Sequence, residues 1–222
     1  MKDIVWLDWA RVLGIFLVVF GHVLQQIPLW QENITVDIWN WIYLFHMPLF
    51  FVISGYLYKQ NGIKSLRKIF WALVIPYLFF QLLYIPIQGF CIWRQQETDE
   101  AILGIIFKLI CGILLGDGYD TPVSFYVCLP CWFIVSIIQL RLLFSYVKIN
   151  KVSSSILTFA AISFLYIRKG CDFDLYACID STLMAIPYFL LGYWLREYCV
   201  KYRFVYILLG GRLSENFETA TL

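Results

Sequence analysis

Charged residues are spaced along this chain so that long apolar stretches run without interruption. No Asp, Glu, Lys or Arg occurs from Val12 to Gln31, from Ile38 to Tyr58, from Ile69 to Trp93 or from Thr121 to Leu140. A helix of about 20 mostly apolar residues crosses a hydrocarbon core about 30 Å thick, so each run predicts a spanning helix. Shorter apolar stretches at Val152–Ile167, Ser181–Leu195 and Phe204–Leu209 predict further helices, the last only begun. Pro76, Pro86, Pro130 and Pro187 sit inside or beside these runs. Bilayer helices tolerate such breaks because neighbouring groups satisfy the freed carbonyls. The expected fold is all-α, a polytopic transmembrane bundle of about six to eight membrane helices. It occupies residues 1–211, with a polar C-terminal tail over 212–222.

Composition agrees with that pattern. Hydrophobic residues make up 61% of the 222 positions and charged residues 14%, against about 45–50% apolar in a soluble domain. Many aromatic residues, including Trp6, Trp9, Trp39, Trp41, Trp93 and Trp194, lie near segment ends, where interfacial belts place them. A net charge of +2 gives no reason to expect a nucleic-acid partner; the expected surroundings are a lipid bilayer. The first apolar run is too long for a cleaved signal and reads as an uncleaved first helix. Seven cysteines, an odd number, argue against a complete disulfide framework. Cys128 and Cys131 have redox spacing but lie in an apolar stretch, and packing thiols are expected.

Lys and Arg mark cytoplasmic loops. The connector after the second run carries Lys59, Lys64, Arg67 and Lys68 without an acid, so it and the N-terminus are expected in the cytoplasm. The first connector holds only Glu32 and Asp37, and the third pairs Arg94 with Glu97, Asp99 and Glu100. Both read as external. Ala101–Gly116 is short, carries Lys108 and conflicts with the charge rule if it spans, so an interfacial or re-entrant helix is expected there. Arg141, Lys148 and Lys151 then fall inside, Asp172 and Asp174 outside, and Lys201 and Arg203 inside. The chain stops soon after Gly210-Gly211, as a helix set cut short would.

Ionisable groups inside membrane helices are costly and therefore functional candidates. Eleven positions separate Arg11 from His22, which is about 20° past three full turns and about 16 Å of rise. The two share a helix face, and Asp8, one turn earlier, can pair with Arg11. The other histidine, His46, is expected at a depth similar to His22. Both could be packing histidines bonded to backbone or serine. Alternatively, an imidazole can take a proton from a hydroxyl as its oxygen attacks an acyl carbonyl. An arginine fork can hold phosphate or carboxylate. No nearby thiol or carboxylate completes a metal ligand set, and no metal is expected.

At these residues the chain resembles the acyltransferase-3 family of membrane acyltransferases, and within it the fucose 4-O-acetylase-like branch. The resemblance rests on Leu7-Asp8-Trp9-Ala10-Arg11-Val-Leu-Gly14, on the basic-residue, ten-spacer, histidine pattern of Arg11 and His22, and on Tyr43-Leu-Phe-His46-Met-Pro48-Leu-Phe-Phe51-Val-Ile-Ser54-Gly55-Tyr56. Lys64-Ser-Leu-Arg67 leading to Ile75-Pro76-Tyr77 also fits, with weaker echoes at Leu129–Ile134 and Ile186–Tyr193. The resemblance implies acyl transfer, usually acetyl from acetyl-CoA, to a hydroxyl of an envelope carbohydrate or glycolipid, in the inner (plasma) membrane. It implies His22 as base and Arg11 as required. Lys64 and Arg67 would meet the coenzyme or simply set orientation, and His46 would be a catalytic partner or a packing histidine.

Members of that family typically carry more spans than this chain. A glycan or lipid transporter using the same charges, and an inactive membrane fragment, are the competing expectations. Asn33-Ile-Thr35 is a glycosylation triplet in the expected external loop.

Overall fold

The computed structural model describes residues 5–25, 33–60, 64–95, 104, 107, 110–113, 131–168 and 178–208. Its elements are α1 (Val5–Gln25), α2 (Asn33–Leu57), α3 (Lys64–Ile69), a π-helical segment (Phe70–Val74), α4 (Ile75–Gln95), α5 (Trp132–Tyr146), α6 (Lys151–Arg168) and α7 (Ile179–Leu208). No strand occurs among the described residues. Three stretches are long and apolar enough to cross a membrane: Val5–Leu24, Val36–Leu57 and Leu66–Ile87. Less than a quarter of each crossing window is buried, at 22%, 22% and 17%. Their remaining apolar faces, such as Val12, Phe16 and Phe79, are exposed and need lipid or other helices against them.

Several helices begin or end away from the charge gaps. The first starts at Val5, before Asp8 and Arg11, because two opposite charges one turn apart partly neutralise each other. The basic residues Lys64, Arg67 and Lys68 are not in a loop but in α3. That helix continues through the π segment into α4. Pro76 explains the wide turn. It has no N–H to donate, and its ring would clash with the carbonyl four residues back. The chain widens just before it, with the Ile75 N–H reaching the Phe70 carbonyl.

The glycosylation triplet Asn33–Thr35 lies in the first turn of α2 rather than in a loop. Arg141 and Lys151 belong to α5 and α6, leaving only Val147–Asn150 as their connector. Ser181–Leu195 and Phe204–Leu208 lie in one 30-residue helix, so Lys201 and Arg203 are helical and no separate helix starts at Phe204. Arg, Glu and Lys are good helix formers; a change from apolar to charged is no stop signal.

Of Ala101–Gly116, only Gly104, Phe107 and Ile110–Ile113 are described, and all are helical. Lys108, Cys128, Asp172, Asp174 and the tail 212–222 lie outside the described residues. Cys131 is buried, at 5% exposure.

The chain divides into two compact units, one of residues 1–58 and 187–222, the other of 59–186. In the first, α1 and α2 form an antiparallel hairpin. Leu7 packs with Ile53 and Tyr56, backed by Ala10, Leu49 and Leu57. Gly14 meets the Phe50 ring, and Gly21 meets Ile42 and Tyr43. Leu7, Gly14 and Gly21 are buried and spaced seven apart, about 20° short of two turns each, so one narrow stripe of α1 faces α2.

The later part of α7 crosses α2 at the backbone. A Cβ on Gly55 would strike the Phe189 carbonyl, and one on Gly192 would strike the Val52 carbonyl. Small residues permit such approach between membrane helices. Arg196, one turn beyond Gly192, donates through Nη1 to the Tyr58 carbonyl at 2.6 Å. It thereby satisfies an orphan group at the end of α2.

In the second unit, Gln60 performs a similar task for α5. Its Nε2 donates to the carbonyls of Phe144 (3.2 Å) and Val147 (2.8 Å), and its Oε1 accepts from the Ile149 N–H at 3.3 Å. Asn150 caps α6 reciprocally with Ser153. The Ser153 N–H donates to Asn150 Oδ1 at 2.8 Å, and the Asn150 N–H to Ser153 Oγ at 3.0 Å. Arg168 pairs with Asp180, each at the helix end its charge favours. The Tyr77 hydroxyl donates to the Ile113 carbonyl at 2.7 Å, holding the described part of Ala101–Gly116 to α4.

Replacing Gln60 by Leu removes three hydrogen bonds and strands two α5-end carbonyls. We expect a loss of about 1–3 kcal/mol, read as a lower thermal midpoint in detergent. An unchanged midpoint would show that water takes the amide's place.

Candidate functional site

The antiparallel hairpin sets where each candidate side chain stands. Asp8 and Arg11 lie near the start of α1, at the end of the hairpin where α2 finishes. Their ion pair is 2.7 Å long, with side-chain exposures of 55% for Asp8 and 42% for Arg11. An ion pair this open contributes little to stability; its charges stay available to another anion or cation. Trp6 stands edge-on to Tyr56 at 5.1 Å beside them.

At the opposite end of the hairpin the fold brings the chain's two histidines to one aromatic ring. Tyr43 lies edge-to-face against His22, with centroids 6.4 Å apart. It makes the same kind of contact with His46 at 4.7 Å. Trp39 lies against Tyr43 at 4.1 Å. The similar depth expected for the two histidines follows directly from the antiparallel register.

The two imidazoles have different surroundings. His46 is 2% exposed, and its Nδ1 lies 2.7 Å from the Ile42 carbonyl. A carbonyl only accepts, so Nδ1 carries the hydrogen, and in the neutral ring the lone pair is on Nε2. His22 is exposed, and no described residue hydrogen-bonds to it. One ring is locked into the packing, whereas the other can meet a substrate.

Arg11 and His22 are not brought together; a helix places them about 16 Å apart along its axis. Lys64 opens α3, and Arg67 is exposed on it. Both belong to the second unit, while Asp8, Arg11, His22 and His46 belong to the first. Among the described residues no group of three His, Cys, Asp or Glu stands together.

Sequence reasoning passed over Tyr43, Arg196 and Gln60 as individual residues. Tyr43 was visible only as one letter of the second-helix motif. Arg196 had a usable signal: the first cation after the apolar stretch, one turn beyond Gly192. Gln60 had none, since a glutamine after a helix looks like any loop residue. The second-helix motif and the Ile186–Tyr193 echo meet each other, through Gly55 and Gly192.

Comparison with known proteins fits these positions. Residues 4–213 match the acyltransferase-3 family, described as an acyltransferase domain. A curated relative, nodulation protein NolL of Mesorhizobium japonicum, is 33% identical over 116 residues, which cover 46% of this chain and 30% of the relative. The match therefore spans less than a third of that relative's length. No solved structure matches. With nearly its whole length matched, including every candidate residue on α1, α2 and α3, the chain belongs to the acyltransferase-3 family.

Proposed function

We propose that this chain serves a membrane-embedded O-acyltransferase that moves an acetyl group from acetyl-CoA to a hydroxyl of an envelope or surface carbohydrate, as in the fucose 4-O-acetylase-like branch. The observation that carries the reading is the arrangement on α1. An exposed imidazole stands at one end of the hairpin and an exposed arginine at the other, within a family whose shared description is acyl transfer.

His22 takes the proton of the acceptor hydroxyl as its oxygen attacks the thioester carbonyl. The carbon–sulfur bond breaks, the coenzyme leaves as its thiolate, and the proton held by His22 passes to that sulfur. The product is an ester, and the imidazole is neutral again. Arg11 offers its fork to the phosphates of the coenzyme, with Asp8 orienting the guanidinium until the anion arrives. By the motif they carry, Lys64 and Arg67 on α3 either meet the coenzyme or set orientation. His46, with Nδ1 committed to a backbone carbonyl, supports the ring against which His22 rests.

The bundle in this reading has about six to eight membrane helices and sits in the inner membrane with its N-terminus in the cytoplasm. Arg11 then faces the cytosolic donor, and His22 lies toward the envelope.

Membranes containing the chain, incubated with labelled acetyl-CoA and extracted envelope glycans, should transfer label to the glycan. Absence of transfer, both from this chain and from one extended by further family helices, would overturn the reading. Movement of glycan without acetylation would point to a transporter instead.

A further inference from the structure

We infer that Tyr43 is a positioning residue for His22: its ring, held on α2 between Trp39 and His46, sets the orientation of the imidazole that accepts the substrate proton. The inference rests on the base role proposed for His22 and adds the residue that aims it.

A general base works when a third group fixes its ring in the direction of the proton it takes. The usual partners are a carboxylate or a backbone carbonyl on the second ring nitrogen. His46 has such a partner in the Ile42 carbonyl. His22 has none among the described residues. Its one ring contact there is Tyr43, at 6.4 Å with planes 82° apart, inside the usual range of an edge-to-face pair.

Tyr43 can act as a support because it is itself held. Trp39 covers it at 4.1 Å, and His46 meets it at 4.7 Å with an 89° angle. His46 in turn is buried and pinned to Ile42. Gly21, next to His22, lies against α2 at this level. A Cβ there would stand 3.4 Å from the Tyr43 ring and 3.5 Å from Ile42. Orientation therefore runs from the α2 backbone, through His46 and Trp39, to Tyr43 and on to His22. The bland alternative is that Tyr43 simply fills the hairpin interface. In that case only its volume matters, and an aliphatic side chain of similar bulk would serve as well.

The test separates ring from volume. Tyr43→Phe keeps the ring, whereas Tyr43→Leu and Tyr43→Met keep bulk without it. Two readouts apply to each variant in native membranes. One is transfer of label from acetyl-CoA, resolved into kcat and KM. The other is the rate at which diethyl pyrocarbonate modifies His22 and His46, measured on the separate peptides; the chain has only these two histidines.

Tyr43→Leu and Tyr43→Met should each lower kcat by about tenfold or more, the scale on which small misplacement of a catalytic group acts, with KM for acetyl-CoA unchanged. They should also change the His22 modification rate severalfold while leaving His46 as it was. Tyr43→Phe should recover the original His22 rate. An unchanged His22 rate in both aliphatic variants would overturn the proposal. So would a parallel change at His46, which would mean that the hairpin had loosened. If neither the unsubstituted chain nor one extended by further family helices transfers an acyl group, the proposed function fails, while the modification rates still decide whether Tyr43 orients His22.

Discussion

Replacing His22 by Ala should lower acyl transfer by about a hundred- to ten-thousandfold, the range over which a positioned general base contributes. The loss should fall on kcat, because the imidazole takes its proton during attack and is not needed to hold the donor. His22→Gln keeps polarity and approximate size but cannot accept a proton at neutral pH, so it should be nearly as damaging. Stability should hardly change: His22 is exposed and makes no hydrogen bond among the described residues. Intact folding with lost turnover is therefore the expected signature, measured with labelled acetyl-CoA alongside thermal unfolding of the same preparation. A His22→Ala chain that transfers at the original rate would remove His22 from the chemistry. A chain that loses transfer only by unfolding would make it a packing residue.

The largest structural effect is expected where α2 and α7 touch. Gly192→Val would push side-chain atoms into the Val52 carbonyl and the Tyr56 N–H, and Gly55→Val would do the same against Phe189. In most cores overpacking is relieved by moving a flexible side chain. Here the obstacle is backbone on the facing helix, so the helices must separate. We expect each substitution to cost about 3 kcal/mol or more, at the upper end of overpacking penalties. The double variant should be less than additive, because one separation relieves both clashes. Gly14→Ala provides the contrast. It meets only the tip of the Phe50 ring, at 2.8 Å, which can swing aside. Thermal midpoints of the four proteins in one detergent would check the order. Equal midpoints for Gly192→Val and Gly14→Ala would show that the α2–α7 contact is looser than described.

Separation at Gly192 would also withdraw Arg196 from the Tyr58 carbonyl, which it reaches at 2.6 Å. The end of α2 would then be left with an unsatisfied acceptor. The weak echo at Ile186–Tyr193 is thus explained by packing: it is the surface that receives the Ser54-Gly55-Tyr56 segment. This contact belongs to the fold of the first unit and needs no catalytic role.

Sequence alone determined that the chain is helical and built for a bilayer, and it placed the first helices to within about two turns. The reason is energetic: a lone charge in hydrocarbon is expensive, so gaps between charges outline the spans. The same rule misplaced the start of α1, where Asp8 and Arg11 compensate each other, and divided α7, where charges occur in a helix that nothing breaks. Sequence also identified Asp8, Arg11, His22 and His46 as residues to question, since the histidines lie inside apolar runs and the ion pair opens the helix that carries the first of them.

Only the tertiary structure decided which of these meet. Local periodicity gives the faces of a single helix but not which face opposes which partner. That depends on the antiparallel register of α1 and α2, set by the buried stripe of Leu7, Gly14 and Gly21, and on the close crossing at Gly55 and Gly192. From that register came the burial of one histidine and exposure of the other, and the placing of Tyr43 against both.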